Sequence, residues 1–124
     1  MVIDGKEKVY EIDDAIFHCG VAVCYRYIGG KWKSIIIWNL REGVLRFSEI
    51  KAQIPDMTDK MLSLQLKALK DDGLVAKTVF GKKAPFKVEY RLTPLGETLI
   101  PVIEGINNWG IVYAENEGKL IDVV

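Results

Sequence analysis

Pro55 and Gly73 divide the middle of this chain into stretches that must fold differently. Upstream, Ile50 and Ile54 hold helical spacing over about Ser48 to Gln53. Pro55 has no N–H to donate and drives Ile54 out of the helical region, so Ile54-Pro55-Asp56-Met57 breaks the helix. Thr58 stands where a hydroxyl caps a new helix, predicted over about Thr58 to Asp72. Gly73 lies just past its end, where positive φ is tolerated. Met61, Leu62, Leu66 and Leu69 form an inward stripe, which leaves Lys60, Ser63, Leu64 and Lys67 facing out. After Gly73 the period becomes two. Leu74, Ala76, Thr78 and Phe80 alternate with Val75, Lys77 and Val79, and Val88, Tyr90 and Leu92 line one face of a second strand. Gly81-Lys82-Lys83-Ala84-Pro85-Phe86 supplies the turn. The parts, in order, are a helix-turn-helix and a β-hairpin.

Two helices joined by so short a turn match the DNA-binding pair whose second helix enters the major groove. Thr58, Lys60, Ser63, Leu64 and Lys67 are then the residues facing base edges or phosphates. Lys82, Lys83 and Lys87 on the hairpin suit contact with the backbone or minor groove. The alternative is a winged-helix module that binds protein and not DNA, with these lysines merely solvated. Charge distribution favours DNA. Formal charge is zero over the whole chain, yet residues 46–92 hold ten Lys/Arg against six Asp/Glu. Residues 31–45 carry a net +2, residues 1–30 a net −2, and residues 93–124 a net −4. Positive charge thus gathers on the reading head, as phosphate contact requires.

A length of 124 residues allows one domain with a moderate core. The N-terminus mixes Asp4, Lys6, Glu7 and Lys8, without the apolar centre of a signal segment. Apolar runs such as Ile35-Ile36-Ile37-Trp38 are far too short to span a membrane. Two cysteines do not make a disulfide framework and fit a reducing compartment. The expected location is the cytoplasm.

Residues 1–18 read as an arm, with Val9, Tyr10 and Ile12 as a short strand or a flexible stretch. A first helix is expected from Gly20 to about Ile28, closed by Gly29-Gly30. A second runs from Lys31 to about Glu42, with Trp32, Ile35, Ile36, Asn39 and Leu40 inward. Val44-Leu45-Arg46-Phe47 reads as a short strand able to join the hairpin. This element order defines an α+β winged helix. Thr93-Pro94 is a strong helix start, and that helix should reach about Tyr113, with Pro101 kinking it. Leu95, Leu99, Val102, Ile106 and Trp109 alternate spacings of four and three, a helix-packing seam. Ile100, Ile103 and Gly110 make a second apolar edge. One small domain cannot cover both edges, so a homodimer is expected. Val21, Cys24 and Ile28 of the first helix join Leu99, Val102, Ile106 and Trp109 in that interface. The organised domain thus spans 19–113, and the tail 114–124 is left as a strand or as disorder.

These residues also carry a family resemblance. Cys19-Gly20-Val21, Ile28-Gly29-Gly30-Lys31-Trp32 and Arg46-Phe47-Ser48-Glu49-Ile50 are spaced as in the HxlR-type winged-helix regulators. So are Lys60-Met61-Leu62, Asp72-Gly73-Leu74-Val75, Val88-Glu89-Tyr90 and Leu92-Thr93-Pro94-Leu95-Gly96. The match covers about Cys19 to Gly110. The resemblance implies a dimeric prokaryotic transcription regulator, with its first and last helices in the dimer interface and its fourth helix on a palindromic operator. Asp59 and Leu64 depart from the polar residues more usual in that family, so the base preference should differ. Gly20 replaces a common proline, and the hairpin is about one residue longer and more basic than usual.

Other chemistry finds little support. His18 is the single histidine, so a catalytic triad would rest on it alone. Gly29-Gly30-Lys31 lacks the spacing and the Ser/Thr of a phosphate-binding loop. His18, Cys19 and Cys24 make no convincing metal set. No enzyme, metal or cofactor is expected, and no effector ligand can be named. Cys19 falls just before a helix, where the N-terminal dipole favours a thiolate. Some HxlR-type proteins sense oxidants or electrophiles with a cysteine there, so Cys19 is a candidate thiol sensor, against the reading of a small packing residue.

Overall fold

The computed structural model describes residues 1–123. Two small antiparallel hairpins open the chain: β1 (Val2–Ile3) with β2 (Lys6–Glu7), and β3 (Tyr10–Ile12) with β4 (Ala15–Phe17). Asp4, Gly5, Asp13 and Asp14 supply positive φ at the two turns, the conformation Asp tolerates and Gly adopts freely. The segment read as an arm is therefore built, and Phe17 at its end is buried.

Helices α1 (Gly20–Ile28) and α2 (Lys33–Asn39) follow, then β5 (Leu45–Arg46) and α3 (Phe47–Gln53). α4 (Asp59–Asp71) precedes β6 (Val75–Phe80) and β7 (Lys87–Leu92), and the chain ends with α5 (Pro94–Glu97) and α6 (Ile100–Glu117). The three strands form an antiparallel sheet ordered β5-β7-β6, with Leu45 opposite Tyr90 and Val75 opposite Leu92. The strand expected near Leu45 thus joins the hairpin through its second strand, giving a winged helix.

One core unites these parts. Ile36, Ile37, Ile50, Leu62 and Leu69 are fully buried, with Met57, Leu66, Leu74, Val75 and Ile103 around them. α2 packs on α1, α3, α4 and α6 and so buries a broad face. Its inward residues are Ile36, Ile37 and Leu40, while Ile35, expected inside, is 38 % exposed. α2 is also shorter than the spacing suggested: Trp32 is its N-cap, and Leu40 turns out of the helix after it. In α4 the buried stripe is Leu62, Leu66 and Leu69, and Met61 lies on the shoulder at 37 % exposure.

The largest departure is at the C-terminal end. One kinked helix from Pro94 to Tyr113 was expected, yet two helices form. Thr98 and Leu99 donate to the carbonyls of Leu95 and Gly96, three residues back, which tightens the chain and ends α5. Leu99 caps α6, so Pro101 falls in its first turn, where a missing N–H leaves no bond unmade. Pro101 starts a helix instead of bending one. α6 then runs to Glu117, past the expected boundary at Tyr113. Residues 119–123 have no regular structure, and Val124 lies outside the described residues.

Candidate nucleic-acid interface

The turn between α3 and α4 fixes the reading helix. The Glu49 carboxylate accepts from the Arg46 N–H at 2.8 Å, closing the start of α3. Ile54 ends that helix by leaving the helical region, at φ −129° and ψ 67°, and both Ile54 and Met57 drop into the core on either side of Pro55. Thr58 begins α4, its hydroxyl oxygen accepting from Met61 N–H at 3.1 Å. At the far end Gly73 adopts φ +77°, the Leu74 N–H reaches Leu69 O at 2.9 Å, and the Gly73 N–H reaches Lys70 O at 3.0 Å. Those two bonds close a Schellman motif, and Leu74 packs back into the core. Thr93 ties this corner to the last helices: its hydroxyl donates to Gly73 O at 2.6 Å and accepts from Gly96 N–H at 3.0 Å.

The outward face of α4 is where the spacing put it. Lys60, Ser63, Leu64 and Lys67 are all exposed, and so is the free side of Thr58. Lys67 is 2.8 Å from Asp71 one turn on. Hydrogen bonding to that carboxylate pushes the Lys67 ammonium above its ordinary range and holds Asp71 below its own. Lys82 and Lys83 stand exposed at the hairpin tip, without a salt bridge among the described residues. Lys87 is partly committed, 3.0 Å from Glu89 and 5.3 Å from the Phe80 ring.

Three residues escaped the sequence reading. Between α4 and the wing runs a groove of about 320 Å³ lined by Ser63, Lys67, Lys70, Lys77 and Tyr90, with Leu66 beneath. Lys70 lies one turn from Lys67, and Lys77 is exposed on β6, so helical and strand periods together bring three lysines to one slot. The spacing of Lys67 and Lys70 signalled part of this; only the folded hairpin adds Lys77. Tyr90 is 8 % exposed, and burial pushes its phenol above the ordinary range. It remains a neutral hydroxyl at the base of the slot.

A second surface is apolar. On α6, Ile103 turns into the core with Ile100 half-buried, while Val102 (45 % exposed), Ile106 (55 %) and Trp109 (70 %) stay in solvent. Trp109 stacks on Tyr113 with centroids 5.3 Å apart. On α1, Val21 and Tyr25 are exposed and Cys24 is half-buried. Ile28, grouped on spacing with the outer contacts, belongs to the core of its own chain, as does half-buried Leu99. Cys19 is the exposed N-cap of α1, and its side chain makes no capping bond.

A helix-turn-helix with a three-stranded wing, a solvent-facing second helix and lysines on both parts defines a winged-helix regulator. Residues 27–118 match the model of the HxlR-like helix-turn-helix family. An uncharacterized HTH-type transcriptional regulator of Methanothermobacter thermautotrophicus is 39 % identical over 112 residues, which is 88 % of this chain and 85 % of that protein. The HTH-type regulator YkvN of Bacillus subtilis is 44 % identical over 101 residues, 82 % of this chain and 85 % of that one. Among solved structures, the redox regulator HypR in its oxidized form superimposes with a TM-score of 0.70 at 37 % identity, covering 82 % of this chain and all of that one. The chain belongs to the HxlR-like family of transcriptional regulators. Among the described residues no helix is long and apolar enough to cross a membrane.

Proposed function

We propose that the protein is a sequence-specific DNA-binding regulator that acts in the cytoplasm as a homodimer. α4 enters the major groove, where Thr58, Lys60, Ser63, Leu64 and Lys67 meet base edges and phosphates. The wing lies on the backbone or in the minor groove through Lys82, Lys83 and Lys87. The observation that carries this reading is the slot between α4 and the wing, which Lys67, Lys70, Lys77 and Ser63 line together. Lys67 is already paired with Asp71, which leaves Lys70 and Lys77 as the cations this groove offers to a phosphodiester. The exposed apolar edge of α6, with Val21 of α1, joins two copies, so the operator is roughly palindromic with half-sites about 10–21 bp apart. Cys19, exposed at the start of α1, is placed for oxidants to reach, and the likeness to the redox regulator HypR supports a thiol-sensing role. Catalysis, a metal and a cofactor have no part in this reading.

The test is recovery of genomic DNA fragments on the purified protein, followed by footprinting of the retained sites. Expected is a set of fragments sharing an inverted repeat, protected at two half-sites on one face of the duplex. If no fragment is retained above random competitor DNA at about physiological salt, the wing and α4 serve a protein partner instead.

A further inference from the structure

Between the second N-terminal hairpin, α1 and α5 lies a cavity of about 630 Å³ that shares no lining residue with the slot beside the wing. That volume is in the range of sites for small organic molecules. α1 contributes one helical stripe to it, Val23, Cys24 and Tyr27, and Leu74, Leu95 and Leu99 line it from the last helices and the end of the recognition corner. Tyr10 of β3 closes another side. The walls are thus almost wholly hydrocarbon and aromatic.

Two polar side chains other than the tyrosines reach it, Asp72 and Thr98. The Thr98 hydroxyl is already spent on the Leu95 carbonyl at 2.5 Å. Asp72, half-buried at the C-terminal cap of α4, makes no salt bridge among the described residues. No Lys, Arg or His lines the cavity. Asp72 is thus the one charged residue among the lining, which favours a cationic occupant and opposes an anionic one. Two tyrosine rings strengthen the preference, because an aromatic face attracts a cation. The Tyr27 ring already attracts one cation, the Arg26 guanidinium 5.7 Å from its centroid.

We propose that this cavity is a binding site for a compact apolar cation, an amine or quaternary ammonium carried on an aromatic or aliphatic body. The charge lies beside Asp72 and the body fills the space among Tyr10, Tyr27, Leu74, Leu95 and Leu99. Such an occupant touches both ends of the regulator. Asp72 and Leu74 belong to the corner that terminates the reading helix, and Leu95 and Leu99 to the turn that launches α6.

The proposal concerns the protein without DNA and is tested there. Benzyltrimethylammonium, its neutral isostere neopentylbenzene and the anion 3-phenylpropionate are titrated into the full chain and followed by amide chemical shifts. Expected is tighter binding of the cation than of the neutral isostere by at least about tenfold, with shifts centred on residues 72–74 and 95–99. Asp72→Asn, which keeps the side-chain shape, should bring the cation down to the level of the neutral isostere and leave the isostere unchanged. Where that variant does not fold, Tyr27→Leu carries the same comparison, weakening the cation more than the isostere. Equal binding of cation and isostere, preference for the anion, shifts centred elsewhere, or no binding of any of the three overturns the proposal.

Discussion

At the residue scale the lysines divide by what already holds them. Lys82 and Lys83 are exposed at the wing tip without a salt bridge among the described residues, so Lys82→Ala/Lys83→Ala should weaken all DNA sequences alike. The slope of log affinity against log salt should fall by about one unit per lost contact, measured by fluorescence anisotropy from low to moderate salt; an unchanged slope would show that the wing misses the backbone. Lys67 is shared with Asp71, and Asp71→Asn should release it to DNA, raising non-specific affinity and steepening the same slope. The pair has a pH signature with a definite sign. The Asp71 carboxyl is held below its ordinary 3.8, so its contribution to stability is present above that pH and fades as the pH falls below it. Acid unfolding of Asp71→Asn should therefore lack that part of the loss. Cys19 is exposed at a helix start. If it senses oxidants through the α1 contacts, mild thiol oxidation should weaken operator binding of the wild type and leave Cys19→Ser unaffected in a gel-shift titration. Equal sensitivity of the two proteins would reduce Cys19 to a packing residue.

At the element scale the decisive feature is the corner where α4, the wing and α5 meet. A Cβ on Gly96 would run into the Leu74 carbonyl. The backbone of α5 therefore lies directly on the end of the Schellman motif, and nothing larger than glycine fits between them. Gly96→Ala should destabilise the fold by about 1–3 kcal/mol, read from urea unfolding. Pro101 supplies the contrast. In a helix interior a proline costs about 3 kcal/mol, so its replacement by alanine would be strongly stabilising. In the first turn of α6 the change should be under about 1 kcal/mol, and a large gain would mean that Pro101 strains a continuous helix.

At the scale of the whole molecule, one exposed apolar face runs along the outer edge of α6. Val102, Ile106, Trp109 and Tyr113, at spacings of four, three and four, are each 45 % exposed or more, a continuous face of the kind that marks an interface. Light scattering at micromolar concentration should give twice the 14.0 kDa chain mass. Ile106→Glu places a charge in the centre of that face without touching the core. It should yield a folded monomer that loses operator affinity, because two half-sites are then no longer held together. A wild-type monomer would remove the palindromic operator along with the dimer.

The sequence alone determined the reading head. Pro55, Thr58 and Gly73 act through their own backbone chemistry, so the break, the cap and the end of α4 were legible without any partner. The 3.6 and 2 periods then placed Leu62, Leu66 and Leu69 inward and Lys60, Ser63, Leu64 and Lys67 outward. Whatever depended on several neighbours at once was decided by tertiary structure. Ile37 replaced Ile35 inside because α2 is surrounded by four helices and buries more than one stripe. Pro101 began a helix because the bonds of Thr98 and Leu99 to carbonyls three residues back had already ended the one before it. The pairing of β6 with β7 drew Lys77 beside Lys67 and Lys70, which no spacing along one element can do. Asp72 was read only as the end of a helix. The apolar walls that give its carboxylate a further meaning come from four separate parts of the chain, and only folding brings them together.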